Sequence, residues 1–360
     1  MREQKLMNEC FTLIWGNKQL HIGKKFPIAV NQLVGINKIS QYDDCLKKID
    51  MWDSSGSGPD IIYDVSMLSP TSMPPIWKYA LGKKKYIVGT VPSYFLTNKS
   101  HVSKQELLTV IENLLVSGVK IITIHPTVTF KLLELSKKRL TPMTSRGGAI
   151  VARDMTNNHT ENIFIEVLDD IALLCVKYDA AISIGTAFRP ANIFDSLDAV
   201  HREEIKLQTN LAEYLKQQMV KTIIELPGHT PPKKIKELNS LLKDNNFPIM
   251  PLGPVVTDVG IGMDHITSSI GQILLSEANN VQIISAMTAE EHTGNIPSIE
   301  STYEAVKVAR LVAHIIDMEK FNDFSEDYEI AKQRRRTCVI GAKNKGCARC
   351  GEFCPLNLDL

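Results

Sequence analysis

The sequence predicts an α/β protein built as a parallel (β/α)₈ barrel of the TIM type, with a C-terminal helical segment and a cysteine-bearing tail. Three observations support this fold class. Eight short apolar runs recur along the 360 residues, and stretches with helical periodicity separate them. Hydrophobic residues make up 44% of the chain, which is enough to bury a sizeable core.

The eight predicted strands are apolar almost throughout, as expected of strands that are buried on both faces of a parallel sheet. They cover Phe26–Val30, Ile61–Ser66, Tyr86–Thr90, Lys120–His125, Ala181–Thr186, Lys221–Leu226, Phe247–Leu252 and Val281–Met287. Eight is the strand count of a closed (β/α)₈ barrel. An open, doubly wound sheet is the alternative, because periodicity counts the elements without showing whether the sheet closes.

The helical patterns between the strands repeat apolar residues at intervals of three and four, for example at Leu107, Leu108 and Ile111. The predicted helices are Lys104–Ser117, Asn162–Tyr178, Gln208–Met219, Lys233–Lys243 and His265–Glu277, with Ser301–Met318 after the last strand. We therefore expect an N-terminal segment over 1–25, the barrel over 26–300, a helical segment over 301–335 and a cysteine-bearing tail over 336–360.

Charge and hydropathy exclude several classes of protein. Lys and Arg number 41 against 40 Asp and Glu, and this balance argues against a nucleic-acid partner. Charges interrupt every apolar stretch before it reaches the roughly 20 residues that span a bilayer, so we expect no membrane segment. The N-terminal residues do not resemble a signal peptide, and a cytoplasmic location is expected.

The cysteines indicate a metal site. Their number, seven, is odd, and three of them follow the pattern Cys347-x2-Cys350-x3-Cys354 with Pro355 directly after. A proline after the last cysteine is frequent in iron–sulfur sequences. Three thiolates would leave one iron of a [4Fe–4S] cluster open to another ligand. A structural zinc site with Cys338 as the fourth ligand is the alternative.

Polar residues follow several of the predicted strands at their carboxyl ends, where a barrel forms its active site. His125 follows the fourth strand, Arg189 the fifth, Glu225 the sixth, and Glu291 the eighth. Two histidines, His229 and His292, would share this rim if the barrel closes. They could then hold a zinc or iron ion with open positions for other ligands. Ordinary loop histidines are the alternative.

The segment Ser145-Arg146-Gly147-Gly148 has the composition of an anion site, because a hydroxyl, a guanidinium and exposed backbone N–H groups suit a phosphate. A plain turn is the alternative. The glycine-rich segment 252–271 could likewise approach a ligand, and Asp264 within it could cap the next helix.

Six blocks in order resemble the thiamine pyrimidine synthase family, also called phosphomethylpyrimidine synthase. They are MTSRGG at 143–148, ISIGTAFRP at 182–190, IIELPGH at 223–229, LGPVVTDVGIGMDHITSSIG at 252–271, TAEEHTGNIP at 288–297 and the cysteine tail. The resemblance implies a barrel whose tail carries a [4Fe–4S] cluster that receives an electron from a donor and splits S-adenosylmethionine. The radical then starts the rearrangement of aminoimidazole ribotide, and the family forms homodimers in which one subunit's tail serves the other's barrel.

The same resemblance implies roles for individual residues. Cys347, Cys350 and Cys354 match the cluster ligands, and His229 and His292 match the ligands of one divalent metal, zinc or iron. Matches to substrate contacts are Tyr63, Tyr94, His125, Ser145, Arg146, Gly147, Arg189 and Glu225. Among these, Glu225 and His125 are the expected catalytic residues.

Several positions depart from the family pattern. An asparagine of the family falls on Leu33, a methionine on Tyr63, a tyrosine on Met250 and an aspartate on Thr186, and the last two cysteines are one residue closer than usual. Changed hydrogen-bonding partners predict altered recognition. The product is therefore either the thiamine pyrimidine or 5-hydroxybenzimidazole, a precursor of the cobalamin lower ligand. A non-catalytic barrel with a zinc tail and an accessory subunit are more remote alternatives.

Overall fold

The computed structural model describes residues 10–68, 72–96, 101–277, 281–334, 338–339 and 347–355. The chain divides into two compact units, Met1–His314 and Ile315–Leu360. The strands are β1 (Cys10–Trp15), β2 (Lys18–Gly23), β3 (Ala29–Val34), β4 (Ile61–Asp64), β5 (Ile87–Thr90), β6 (Ile121–Ile124), β7 (Ala181–Ile184), β8 (Lys221–His229), β9 (Ile249–Val255) and β10 (Ile283–Ala286).

Helices connect consecutive strands, as in a (β/α)₈ barrel. In chain order they are α1 (Tyr42–Ser55), α2 (Ile76–Gly82), α3 (Lys104–Ser117), α4 (Phe130–Ser136), α5 (Arg146–Asn158), α6 (Ile163–Glu166), α7 (Leu168–Lys177), α8 (Ala199–Gln217), α9 (Pro232–Leu241), α10 (Asp264–Ser276), α11 (Ile299–Phe321) and α12 (Ser325–Gln333). Among the described residues, no helix combines the length and the apolar character needed to cross a lipid bilayer.

The eight strands β3 to β10 form one parallel sheet in the order β10-β3-β4-β5-β6-β7-β8-β9. The two ends of this order meet through a parallel bridge between Ile249 and Val281. The Gln282 backbone N–H donates to the Ile249 carbonyl at 3.2 Å, and the Ile249 N–H donates to the Gln282 side chain at 3.0 Å. The sheet therefore closes on itself, and the prediction of a (β/α)₈ barrel is confirmed against the open sheet.

The predicted element bounds differ from the structure at a few places. The first barrel strand begins at Ala29 instead of Phe26, and α8 begins nine residues before the predicted Gln208. By contrast, α3 agrees with the prediction at both ends. The Ser103 side chain accepts the Glu106 N–H at its start, and Gly118 ends it with a φ of 109°. The start of α8 also has a side-chain cap, since Asp198 accepts the His201 N–H at 2.8 Å, but the polar residues that follow this cap hid the first two turns of the helix from the apolar repeat.

An antiparallel hairpin of β1 and β2, which the sequence analysis did not predict, covers the amino end of the barrel. Leu13 and Ile22 point from it into the core and are fully buried. They join an apolar cluster with residues of the barrel strands, among them Ile61, Ile121 and Ile223. The hairpin thus closes the end of the barrel opposite the carboxyl ends of the strands.

Candidate active site

A cavity of about 450 Å³ opens at the carboxyl ends of the barrel strands, the position where (β/α)₈ barrels form their active sites. Its walls include Asn31, Leu33, Tyr63, Val65, Val91, Tyr94, Thr123, His125, Thr144, Ser145, Arg146, Arg189, Pro190, Ala191, Glu225, Gly228, His229, Met250, Leu252, Val255, Met287, Glu291 and His292. The volume is within the range of small-molecule sites. The predicted substrate-binding and metal-binding residues of the barrel therefore all line this cavity, except Gly147, which packs against the His125 ring.

The N-terminus of α5 lies at one side of this cavity. Ser145 is the N-cap of the helix, and its hydroxyl accepts the Gly148 N–H at 3.1 Å. The same hydroxyl contacts Nε2 of the buried His125 at 3.0 Å. A Cβ atom on Gly147 would come within 2.1 Å of the His125 ring, so the glycine is needed for this close approach. A helix N-terminus with exposed N–H groups favours an anion.

Burial and the nearby Arg189 lower the pKa of His125 to about 3. The imidazole is therefore neutral at pH 7. Its Nδ1 atom is buried and has no hydrogen-bond partner among the described residues.

Two guanidinium groups face the cavity. Arg146 lies over the ring of Tyr94, with its Cζ atom 5.4 Å from the ring centre, and Arg189 donates to the Thr186 carbonyl at 3.0 Å. Neither arginine belongs to the ion pairs found among the described residues. Both arginines also act electrostatically on the buried Glu291, and Arg189 acts on Glu225 as well. Two cations beside a helix N-terminus form a surface suited to a phosphate.

Glu225 lies deep in the cavity and is almost fully buried. Its Oε1 atom accepts hydrogen bonds from Thr123 Oγ1 at 3.0 Å and from Ser183 Oγ at 3.1 Å. The Tyr63 hydroxyl lies 2.8 Å from Thr123 Oγ1. Burial raises the pKa of Glu225, while Arg189 and the two hydroxyl donors act in the opposite direction. A carboxyl group with a raised pKa in a cavity is suited to proton transfer.

The two predicted metal histidines face each other at the rim of the cavity. A β-bulge between Pro227 and His229, with Gly228 at a φ of 89°, re-aims the end of β8. His229 Nε2 lies 3.0 Å from His292 Nε2. Asp258 accepts the Nδ1–H of His229 at 2.7 Å, and Asp264 accepts that of His292 at the same distance.

This arrangement fits a bound cation. Because both Nδ1 atoms donate to carboxylates, both Nε2 atoms present lone pairs to each other, and a metal ion or a proton must separate them. Burial lowers the pKa of His229 and so favours its neutral, ligating form. Within the described part of the chain, no set of three or more His, Cys, Asp or Glu side chains is arranged to hold a metal ion. Any ion here would thus have two protein ligands and open positions.

The sequence analysis missed the acidic partners of these residues. It assigned Asp264 as a possible helix cap, but Met263 is the N-cap of α10, and Asp264 instead contacts His292. The buried Glu204 was also missed; it accepts hydrogen bonds from Thr127, Thr186 and the N–H groups of 187–188. Thr186, at the position of a family aspartate, therefore points to Glu204 and not into the cavity.

The three cysteines predicted to bind the cluster, Cys347, Cys350 and Cys354, lie in the second compact unit. The backbone folds tightly, with the Gly351 N–H donating to the Cys347 carbonyl at 2.9 Å and a 3₁₀ turn over Gly351–Phe353. Backbone N–H groups of Cys350 and Arg349 lower the pKa of the Cys347 thiol. Burial, and then the charges of Cys347, Cys354 and Cys338, raise that of Cys350. The thiols are therefore close enough to interact, but they do not yet form a metal-binding arrangement.

Comparison with known proteins identifies the family. A family model described as the Radical SAM ThiC family matches residues 12–341. The phosphomethylpyrimidine synthase of Carboxydothermus hydrogenoformans is 30% identical over 372 residues, which cover 94% of this chain and 85% of that protein. The enzyme of the same name from Desulforamulus reducens is 30% identical over 305 residues, covering 75% and 70% of the two chains.

Phosphomethylpyrimidine synthase 2 of Syntrophotalea carbinolica is 29% identical over 374 residues, covering 94% of this chain and 86% of that one. These relatives carry the name of the family that the six sequence blocks resemble. Since the family model spans most of the chain and the closed barrel agrees with it, the chain belongs to the Radical SAM ThiC family and is a radical S-adenosylmethionine enzyme of the lyase type.

Proposed function

We propose that this enzyme rearranges aminoimidazole ribotide, or a close analogue, into a heteroaromatic product inside the barrel cavity. The observation that carries the proposal is the convergence of an anion-binding helix end, a buried carboxyl group and two facing histidines in one cavity of suitable size. The names of the relatives support the same reaction class, since they are phosphomethylpyrimidine synthases.

The cavity offers two chemically different ends for a ribotide. Ser145, Arg146 and Arg189 would bind the phosphate, because they supply a helix N-terminus and two guanidinium groups that line the cavity. His125 and Glu225 would then lie beside the imidazole ring, with Tyr94 against the ligand's other side. The Glu225 carboxyl group, with its raised pKa, can accept and return a proton at a ring nitrogen, whereas His125 stays neutral and can offer only a hydrogen bond.

The cysteine tail would hold the [4Fe–4S] cluster through Cys347, Cys350 and Cys354. The proximity of these thiols and the lowered pKa of Cys347 suit thiolate ligation. These cysteines would hold a cluster that could pass one electron from a donor to S-adenosylmethionine, whose carbon–sulfur bond would then break to give methionine and the carbon radical. The barrel's contribution is to bind and orient the ribotide and to keep water away from the radicals.

His229 and His292 would hold one divalent metal, zinc or iron. Their Nε2 atoms are 3.0 Å apart, and their rings meet at 76°, so only a modest separation is needed to admit an ion between them. Asp258 and Asp264 fix both tautomers for ligation.

The central test is anaerobic reconstitution with iron, sulfide and a reductant, followed by S-adenosylmethionine and aminoimidazole ribotide. We expect release of 5′-deoxyadenosine that depends on the ribotide. Mass spectrometry of the product then distinguishes hydroxymethylpyrimidine phosphate from 5-hydroxybenzimidazole. Absence of cleavage with every imidazole ribotide tried would contradict the proposal. About one zinc per chain without iron would favour a structural zinc tail if Cys350→Ala removes the zinc and His229→Ala does not.

Substitution of one proposed cluster ligand tests the function of the tail without altering the fold of the barrel. Cys350→Ala should abolish cofactor cleavage, because two thiolates do not retain a four-iron cluster, while the circular dichroism of the barrel stays unchanged. Cys175→Ala is a suitable control, since Cys175 is a buried thiol on α7 outside the cavity. Retained turnover in the Cys350 variant would contradict the ligand assignment.

The proposed homodimer, with each tail serving the partner's barrel, is testable by complementation. Glu225→Gln disables the barrel and Cys350→Ala disables the tail, so each variant alone should be inactive. A mixed dimer of the two variants contains one intact tail and one intact barrel, and therefore one working site instead of two. We expect each mixed dimer to have up to about half of the activity of a normal dimer. A monomeric enzyme would recover nothing on mixing.

A further inference from the structure

We propose that Tyr63, Thr123 and Ser183 form a hydrogen-bonded relay that holds one carboxylate oxygen of Glu225, which makes Tyr63 a positioning residue for Glu225. The three hydroxyl groups come from β4, β6 and β7, and the carboxylate comes from β8, so the relay joins side chains of four barrel strands, of which β6, β7 and β8 are neighbours while β5 separates β4 from β6. The proposal rests on the function proposed above, in which Glu225 transfers protons to the ligand.

The direction of the hydrogen bonds follows from counting protons. Thr123 has one hydroxyl proton and donates it to Glu225 Oε1 at 3.0 Å. Its remaining contact, with the Tyr63 hydroxyl at 2.8 Å, must then be one in which Tyr63 donates. Ser183 adds a second donor to the same carboxylate oxygen at 3.1 Å. Both direct donors thus converge on Oε1, and Tyr63 polarises one of them.

Packing keeps the tyrosine ring in a single place. Tyr63 is 2% exposed and belongs to the apolar cluster inside the barrel. A Cβ atom on Gly89, at the neighbouring position of β5, would come within 2.4 Å of the ring. The ring therefore fills the space that the absence of a side chain at Gly89 provides. A hydroxyl held by such a ring has little freedom to turn to a different partner.

The electrostatic surroundings explain why Glu225 needs this support. Burial disfavours the ionised carboxyl group and raises its pKa, and the relay works against that effect by donating to the charged form. Other groups that act on Glu225 among the described residues are Arg189 and the Thr186 backbone N–H, which both favour the charged form, and the phenols of Tyr63 and Tyr94. The relay and Arg189 together thus set the balance between the two protonation states.

The test measures the carboxyl group itself. Full-length protein labelled with ¹³C at glutamate side-chain carboxyls is titrated by NMR, and the signal missing in Glu225→Gln identifies Glu225. Thr123→Val should raise the Glu225 pKa by about 1, and Tyr63→Phe by roughly 0.5, because both remove support for the ionised form. Tyr42→Phe is the matched control. It removes a buried phenol hydroxyl that donates to Pro74 outside the cavity, and it should leave the signal unchanged.

A double variant shows whether Tyr63 acts through Thr123. In the Thr123→Val background, Tyr63→Phe should cause a smaller shift than in the unaltered protein, because Thr123 Oγ1 is gone and only the interaction of Tyr63 with Ser183 remains. An unchanged pKa in the single Tyr63→Phe variant, or an equal shift in both backgrounds, would overturn the relay. If Tyr63→Phe does not fold, Ser183→Ala tests the second donor to the same Glu225 oxygen. An unchanged Glu225 pKa in that variant would also overturn the relay. The titration requires no cluster and no ribotide, so failure of the proposed reaction would not be mistaken for failure of the relay.

Discussion

At the scale of single residues, the site depends on pairs that join distant parts of the chain. Each rim histidine is oriented by its own carboxylate, His229 by Asp258 and His292 by Asp264. Asp264 is the more deeply buried of the two, with a side chain 3% exposed against 33% for Asp258. It also accepts the His292 backbone N–H at 3.2 Å and so fixes both the ring and its backbone.

We therefore expect Asp264→Asn to weaken metal binding by about 10- to 100-fold, the usual effect of removing a carboxylate behind a ligating histidine. Asp258→Asn should have a smaller effect, because the side chain of Asp258 is one-third exposed to solvent. Metal content after dialysis against graded chelator measures both. Asp44→Asn, which alters only an exposed ion pair with Lys47, is the control. Equal metal retention in the Asp264 variant and the control would show that the histidines bind no ion.

At the scale of single elements, the β1–β2 hairpin is a structural plug and not part of the chemistry. Its inward residues complete the apolar interior at the amino end of the barrel. The hairpin is further anchored by Trp15, whose indole N–H donates to the Leu81 carbonyl at 2.9 Å, and whose ring occupies the space beside Gly118. The amino end of the barrel is thus closed by apolar packing and by hydrogen bonds such as that of Lys221 to the Thr12 carbonyl.

Two adjacent residues of β1 allow a matched test of this function. Leu13 is fully buried, whereas its neighbour Ile14 is 52% exposed. Leu13→Ala should lower the free energy of unfolding by about 2–5 kcal/mol, since it leaves a cavity in the core. Ile14→Ala should lower it by less than about 1 kcal/mol. Urea denaturation measures both, and similar losses would contradict the plug.

The alternation of elements and the rim residues were predictable because strand ends and helix caps are local signals. His125, Glu225, His229 and His292 could be assigned to one rim as soon as the barrel was assumed. The hairpin was not predicted, since its strands mix polar and apolar residues. The Tyr63–Thr123–Glu225 contacts and the carboxylate partners also escaped prediction. They join residues far apart in sequence, and no local pattern reports which side chains meet across a barrel.

At the scale of the whole molecule, closing the barrel buries histidines that must remain neutral. Burial lowers the pKa of both His125 and His201 to about 3. The geometry of His201 agrees, because its Nδ1 atom accepts the Leu197 N–H at 3.1 Å and cannot do so once protonated. Glu204 and Glu225 have raised pKa values, so their effect on stability changes with pH in the direction opposite to that of the histidines. The contribution of one histidine to the pH dependence can therefore be isolated only by comparing variants.

The last prediction concerns acid stability. A histidine near its ordinary pKa of 6.5 in the unfolded chain, but near 3 in the fold, lets the unfolded state bind the extra proton between these values. Its contribution to stability is thus complete above pH 6.5 and is lost as the pH falls towards 3, by about 1.4 kcal/mol per pH unit. His201→Gln keeps an acceptor for Leu197 but does not titrate. Its free energy of unfolding should therefore depend less on pH between 6 and 4 than that of the unaltered enzyme, by roughly that slope. Parallel curves from urea denaturation at each pH would mean that His201 is protonated in the folded barrel.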